Sequence, residues 1–258
     1  MSVALPELAA YLETLLAIST TPDYPPALNG VQVGHRGPVT RIAAAVDASL
    51  QTITMAADAG ANLLLVHHGL FWNGLRPMTG PHEARIRALF AHDIAVYSAH
   101  LPLDAHETFG NSALLARELG LAVTGGFAKH QHIYCGVRGD SDLSTEGLIA
   151  KVREWAAPLG HHTVASALPA GHRTRKWAIC SGSGAQVETL REAYATGVDT
   201  LIVGEGPHWS AVEAAEHGLV IVYAGHYATE TLGVRALAAH LAERYGIAWE
   251  FVHAPTGL

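Results

Sequence analysis

The sequence predicts an α/β fold with mixed or mostly parallel sheets. Three observations lead to it. Strand-like apolar runs alternate with helix-like runs almost throughout, which is the pattern of strand–helix–strand units. Several of the strand-like runs are short and continuously apolar, as buried strands are. The chain has 258 residues, enough for one large domain or two small ones.

The elements follow in order. Residues 6–18 have helical apolar spacing, with Pro6 suited to a first turn. Residues 28–34 (LNGVQVG) form a short strand between turns, and 42–46 (IAAAV) a buried strand. Residues 50–59 are helical and stop at Gly60. The run 63–66 (LLLV) is a buried strand that enters a turn through His67, His68 and Gly69. A helix over 81–92, a strand over 94–98 and a helix over 111–119, ended by Gly120, come next. Residues 127–138 read as sheet, and 145–155 as a helix capped by Ser144. Strands at 177–180, 201–203, 220–223 and 248–252 alternate with helices at 187–195, 209–216 and 229–245. The stretch 156–176 is rich in Pro, Gly and polar residues, and is the best candidate for a connection between two lobes.

Bulk composition excludes several classes. Net charge is −7 and the pI is near 6.2, whereas a non-specific nucleic-acid binder needs a basic face. The 49% apolar content supports a sizeable core, and the low 15% charged content leaves surface for partner subunits. The two cysteines, Cys135 and Cys180, make no CxxC and no disulfide framework, so reducing cytoplasm is expected. No signal peptide and no membrane span is expected.

Three strand ends carry metal-ligand types. His67 and His68 close the first. His100 and Asp104 follow the strand 94–98. His226 and Glu230 follow the strand 220–223. In open α/β sheets ligands gather at such ends. Neighbouring side chains of an extended segment point in roughly opposite directions, so His67 and His68 suit two metals, one on each side. His226 and Glu230, four apart, share a face if a helix begins near 227. His, Asp and Glu without a thiolate suit Zn, Mn or Fe(II). Each piece alone has an ordinary reading: Asp104 would cap a following helix, and Glu230 suits a first helical turn.

Other motifs carry less. Ser181-Gly182-Ser183-Gly184 is a tight strand-to-helix turn, or a phosphate cradle without the Lys of a P-loop. Glu205 is either a helix-start carboxylate or an outer-shell partner of the site, His161-His162 is a solvent-exposed pair, and Phe71-Trp72 suits an interface better than a pocket wall.

The stretches Asn29-Gly30-Val31-Gln32-Val33-Gly34, Val66-His67-His68-Gly69-Leu70-Phe71-Trp72, Ser98-Ala99-His100 with Leu103-Asp104, Gly110-Asn111, Gly182-Ser183-Gly184, Gly204-Glu205 and Ala224-Gly225-His226 with Thr229-Glu230 form a set that spans nearly the whole chain. With them the sequence resembles the NIF-three-like dinuclear-metal-centre family, whose members are often called GTP cyclohydrolase 1 type 2 homologues. The resemblance implies two linked α/β lobes, here 1–125 and 126–258, with a dinuclear site in the cleft between them. It implies two divalent ions per chain (Zn, Fe or Mn) held by His67, His68, Asp104, His226 and Glu230, the last as bridge, with His100 and Glu205 in a second shell. It also implies a homo-hexamer and a hydrolase whose activated water attacks a nucleotide or phosphoester; if the substrate is GTP, attack falls at C8 of guanine with release of formate. A metal-delivery protein without turnover, acting through partner proteins, is the alternative. The segment Gly204-Glu205-Gly206-Pro207-His208-Trp209 departs from the more common family form after Glu205.

Overall fold

A computed structural model describes residues 1–72 and 74–258. The fold is mixed α/β, and its contacts group into two units: Met1–His106 with Gly233–Ala254, and Glu107–Leu232 with Pro255–Leu258. No helix among the described residues is long and apolar enough to cross a membrane.

The first unit holds a five-stranded sheet in the order Ala248–Phe251, Arg41–Asp47, Leu63–His68, Ala95–Ser98, Gly30–Val33. The first three pairings are parallel and the last antiparallel. Leu63 to Val66 are fully buried, as a strand covered on both faces must be. The helix Leu50–Asp58 starts on a capping box, in which the Ser49 hydroxyl accepts from the Thr52 N–H and the Thr52 hydroxyl accepts from the Ser49 N–H. It packs Ile53 and Ala56 into a core with Leu64, Val66, Leu70, Leu89 and Val96.

The second unit holds a six-stranded sheet in the order Gly125–His130, Ile133–Ser144, Arg173–Cys180, Thr200–Val203, Val220–Tyr223, Val164–Ala165. Arg173–Cys180, Thr200–Val203 and Val220–Tyr223 are mutually parallel, and the flanking strands antiparallel. Trp177 is completely buried at the centre of one face, with Leu115, Leu148, Val152 and Ile179 around it. Ser144 caps the helix Thr145–Ala156 through the Gly147 N–H, as its position before that run predicts.

Two features depart from the sequence reading. The Pro- and Gly-rich stretch 156–176 is not a connection between units. It lies inside the second unit, where Val164–Ala165 pairs with Val220–Tyr223 and the Ser166 hydroxyl accepts from the Ile221 N–H. Composition marks loops, and a loop need not be a linker. The expected division at 125/126 also meets a different grouping. The helix Asn111–Glu118 belongs with the second sheet, because Leu115 and Ala116 pack into the Trp177 core. The last strand, Ala248–Phe251, returns to the first unit as an edge.

Candidate metal centre

In the first unit, three adjacent parallel strands end on the same edge of the sheet, and each delivers a polar group there. Arg41–Asp47 ends on Asp47, which is in register with His68 on the neighbouring strand. Leu63–His68 ends on the histidine pair, and His100 lies two residues beyond Ala95–Ser98. One ring nitrogen from each of His67, His68 and His100 falls within 4.8 Å of the others. The sequence reading put His67 and His68 on opposite sides of the strand. Instead their ring centroids are 4.8 Å apart. The strand is ending there, and the alternation of side chains no longer holds. The reading also placed His100 outside the ligand shell, yet its ring is 4.8 Å from that of His67.

Each ring is held by its Nδ1. His67 Nδ1 lies 3.0 Å from the Ala99 carbonyl oxygen, which only accepts, so this nitrogen carries the proton. His68 Nδ1 donates to Asp47 at 2.9 Å, and His100 Nδ1 to Asp23 at 2.8 Å. With Nδ1 donating, the neutral form of each ring has its in-plane lone pair on Nε2. Metal-bound histidines are held in this way, by a carbonyl or carboxylate on the other nitrogen. Asp104 Oδ2 lies 3.4 Å from His67 Nε2. Asp104 ends the short helix Leu101–Asp104 and does not cap a following one.

Asp23 is itself fixed. Its oxygens accept from the Tyr24 N–H, the Leu101 N–H and the Asn29 amide as well as from His100. Burial opposes its ionisation, but these hydrogen bonds outweigh burial and hold the carboxyl below its ordinary value. Burial, aided by the nearby His67, holds the His100 imidazole below its ordinary value against the pull of Asp23. Both shifts favour a carboxylate beside a neutral imidazole, which is the form that binds metal.

The Asn29-Gly30-Val31-Gln32 motif now has a physical role. The Asn29 side-chain oxygen accepts from the His100 N–H at 2.7 Å, while its amide holds Asp23. Gln32 accepts from the Leu70 N–H and so fixes the turn after the histidine pair. A Cβ on Gly69 would come within 2.1 Å of the Gln32 amide, so a side chain there would push that amide from its bonds to Leu70 and to the Ala27 and Leu28 carbonyls. Trp72 sits with its ring centroid 4.6 Å from that of His100 and 5.6 Å from that of His68. Trp72 walls the histidine cluster, and Phe71 packs against the first core.

In the second unit the same edge logic recurs. Arg173–Cys180, Thr200–Val203 and Val220–Tyr223 lead into Gly182, Glu205 and His226 respectively. Glu205 accepts from His226 Nδ1 at 2.7 Å, and Glu230 Oε2 lies 3.1 Å from His226 Nε2. The helix starts at His226, so Glu230 stands one turn along it on the same face. Burial disfavours the His226 cation, but the hydrogen bonds and charges of Glu230 and Glu205 prevail and raise its pKa to about 9. Gly182 has φ of +61°, and a Cβ there would lie 2.1 Å from Glu230 Oε1 and 3.4 Å from His226 Nε2. This glycine leaves room for both side chains, which is more than a tight turn needs. His161 is not solvent-exposed as read from the sequence. It is half-buried with Nε2 3.3 Å from the Tyr223 carbonyl oxygen, while His162 is exposed.

Sequence reasoning missed Asp23, Asp47, Asn29 and Gln32 as supports. Asp47 was within reach of the strand-end argument, since it closes the strand before the histidine strand. Asp23 lies in a loop and no local pattern marks it.

Imidazoles with carboxylates behind them, on the C-terminal edges of parallel strands, define an α/β protein with a group able to hold a metal ion. A family model described as Duf34/NIF3 (NGG1p interacting factor 3) matches residues 3–256, and the chain belongs to that family. It is 42% identical over 256 residues to a Deinococcus radiodurans protein named GTP cyclohydrolase 1 type 2 homolog, covering 98% of this chain and 94% of that one. It is 44% identical over 234 residues to a protein of the same name from Halobacterium salinarum, covering 90% and 91%. Among solved structures it is similar to TTHA1606 from Thermus thermophilus, with a TM-score of 0.86, 35% identity, and 99% and 100% of the two chains covered. It is similar also to protein ybgI, described as of unknown function, with a TM-score of 0.89, 32% identity, and 99% and 100% covered.

Proposed function

We propose that the chain is a metal-dependent hydrolase with a dinuclear centre, acting on a nucleotide or phosphoester, as the GTP cyclohydrolase name of its relatives suggests. His67, His68, Asp104, His226 and Glu230 would hold the ions, with Glu230 in the bridging role. The observation that carries this reading is the Nδ1 pinning of His67, His68, His100 and His226 on Ala99, Asp47, Asp23 and Glu205. A core histidine needs one good hydrogen bond. Four imidazoles with matching outer partners, next to Asp104 and Glu230, suit a site that must fix ring orientation and tautomer.

Two divalent ions there, Zn, Fe or Mn, would supply Lewis acidity and bring the pKa of bound water near 7. The protein's part is to orient the imidazoles through Nδ1, with Asp23 and Asp47 as acceptors behind His100 and His68. His100 stands near enough to His67 and His68 to orient a reacting group or take a proton. We further propose a cytoplasmic homo-hexamer, with the low charge content as support.

The test is elemental analysis of purified protein, followed by rates on GTP, other nucleotides and phosphoesters with Mn, Fe(II), Zn and Co. Two ions per chain and metal-dependent turnover are expected. Metal held without turnover on any substrate would move the assignment to metal delivery through partner proteins.

A further inference from the structure

The loop after the histidine pair and the helix Gly80–Ala91 hold a cluster of cations and donors. Arg76 Nη2 lies 3.1 Å from His82 Nδ1. A guanidinium only donates, so His82 accepts there and carries its own proton on Nε2. Burial, with the charges of Arg76 and Arg85, holds the His82 imidazole below its ordinary value, which keeps the ring neutral. Arg85 Nη1 donates to the Ala48 carbonyl oxygen at 3.2 Å. Burial and the neighbouring Arg76 charge both work against the Arg85 cation.

Neither arginine has a carboxylate partner among the described residues. The acidic residue in the first turn of that helix, Glu83, is engaged by Arg87 at 2.7 Å. Two guanidiniums close together without a counter-ion repel one another. The helix that carries His82 and Arg85 adds to the same field. Its N-cap, Thr79, makes no side-chain cap hydrogen bond, and its N-terminal end carries partial positive charge.

The cluster adjoins the histidines through the chain. Ala48, which Arg85 holds, follows Asp47, the acceptor of His68 Nδ1, and the Ala48 N–H donates to the His68 carbonyl oxygen at 2.9 Å. Arg76 follows Trp72, which packs against His68 and His100, by four residues.

We propose that Arg76, His82 and Arg85 form a phosphate-binding subsite beside the histidine cluster of the first unit, and that it takes a phosphate group of the substrate. Two fixed positive charges match a phosphate dianion, whereas a carboxylate would neutralise only one. Guanidinium forks and an imidazole N–H fit phosphate oxygens. The inference deepens the hydrolase reading, on which the role of substrate rests, but binding itself needs neither metal nor turnover.

The experiment is calorimetric titration of metal-stripped protein with GTP, guanosine and inorganic phosphate. GTP is expected to bind about tenfold or more tightly than guanosine, and more weakly as salt is raised. The Arg76→Gln/Arg85→Gln double variant is expected to lose about tenfold or more in GTP affinity, while Arg87→Gln keeps it. Inorganic phosphate binding as tightly as GTP would make free phosphate the ligand; tighter GTP makes it the phosphate of a nucleotide. Arg76→Gln alone, in the loop, reads the same loss should the double variant fail to fold. Equal affinity of wild type and variants for GTP, equal binding of GTP and guanosine, or no binding by wild type would each overturn the subsite. Absence of hydrolysis in every metal screen would leave a positive binding result standing, so the two readings fail separately.

Discussion

His68 and Asp47 show how much a single hydrogen bond is asked to do at this site. The Asp47 carboxylate fixes the tautomer and the angle of the ring, yet its own side chain is 37% exposed and contributes little packing. Asp47→Ala is therefore expected to leave the fold intact and to weaken metal binding by about 10–100-fold, read by competition with a chelator. Glu230→Gln keeps shape and removes charge. If Glu230 bridges two ions as proposed, its loss is expected to disturb both and abolish turnover, whereas Asp104→Ala is expected to weaken mainly one. Full activity of the Glu230→Gln variant with every metal would exclude the catalytic dinuclear centre. His226 gives a pH signature. Its folded pKa of about 9 lies above the ordinary 6.5. In metal-free protein the stability it contributes is fully present below about pH 6.5 and is lost as pH rises through about 9. The melting temperature of chelator-treated protein is expected to fall across that window, and the fall is expected to shrink in the His226→Gln variant. If His226 ligates a metal through Nε2, that nitrogen would have to lose its proton, so metal affinity is expected to rise over the same window.

At the scale of elements, the parallel strands hold the candidate ligands at their C-terminal ends, and glycines make the room. Gly182→Ala places a methyl against Glu230 and demands a left-handed backbone. It is expected to cost about 1–2 kcal/mol of stability and to lower metal content at the same time. A purely conformational effect would lower the melting temperature alone. Trp177 tests the second sheet in the same way. It is fully buried against Leu115, Leu148 and Val152, and Trp177→Ala is expected to cost about 3–5 kcal/mol by chemical denaturation. The Gly139 position allows no side chain there, since a Cβ would lie 2.4 Å from the Trp177 ring.

At the scale of the whole molecule, the proposed hexamer of 27.2 kDa chains is expected to persist at micromolar concentration by light scattering. A clean monomer at all concentrations would rule it out. Elemental analysis of the same sample is expected to give two ions for each chain.

What the sequence determined by itself is local. The apolar runs 42–46, 63–66 and 220–223 declare buried strands, because only elements covered on both faces tolerate such runs. The residues just beyond them declare the candidate ligands, because a chain leaving a buried strand turns where polar groups can gather. His67, His68, Asp104, His226 and Glu230 stood out at strand ends as candidate ligands and His100 as a partner behind them, and Ser144 was legible as a cap. Only the tertiary structure decided what stands behind the ligands. Asp47 meets His68 because two strands pair in one register, and Asp23 meets His100 across 77 positions of chain. No local pattern encodes either approach. The convergence of His67 and His68 was likewise a tertiary outcome, since ideal strand geometry separates them. So was the grouping of Ala248–Phe251 with the first unit, where its backbone completes the edge of a sheet begun near the other end of the chain.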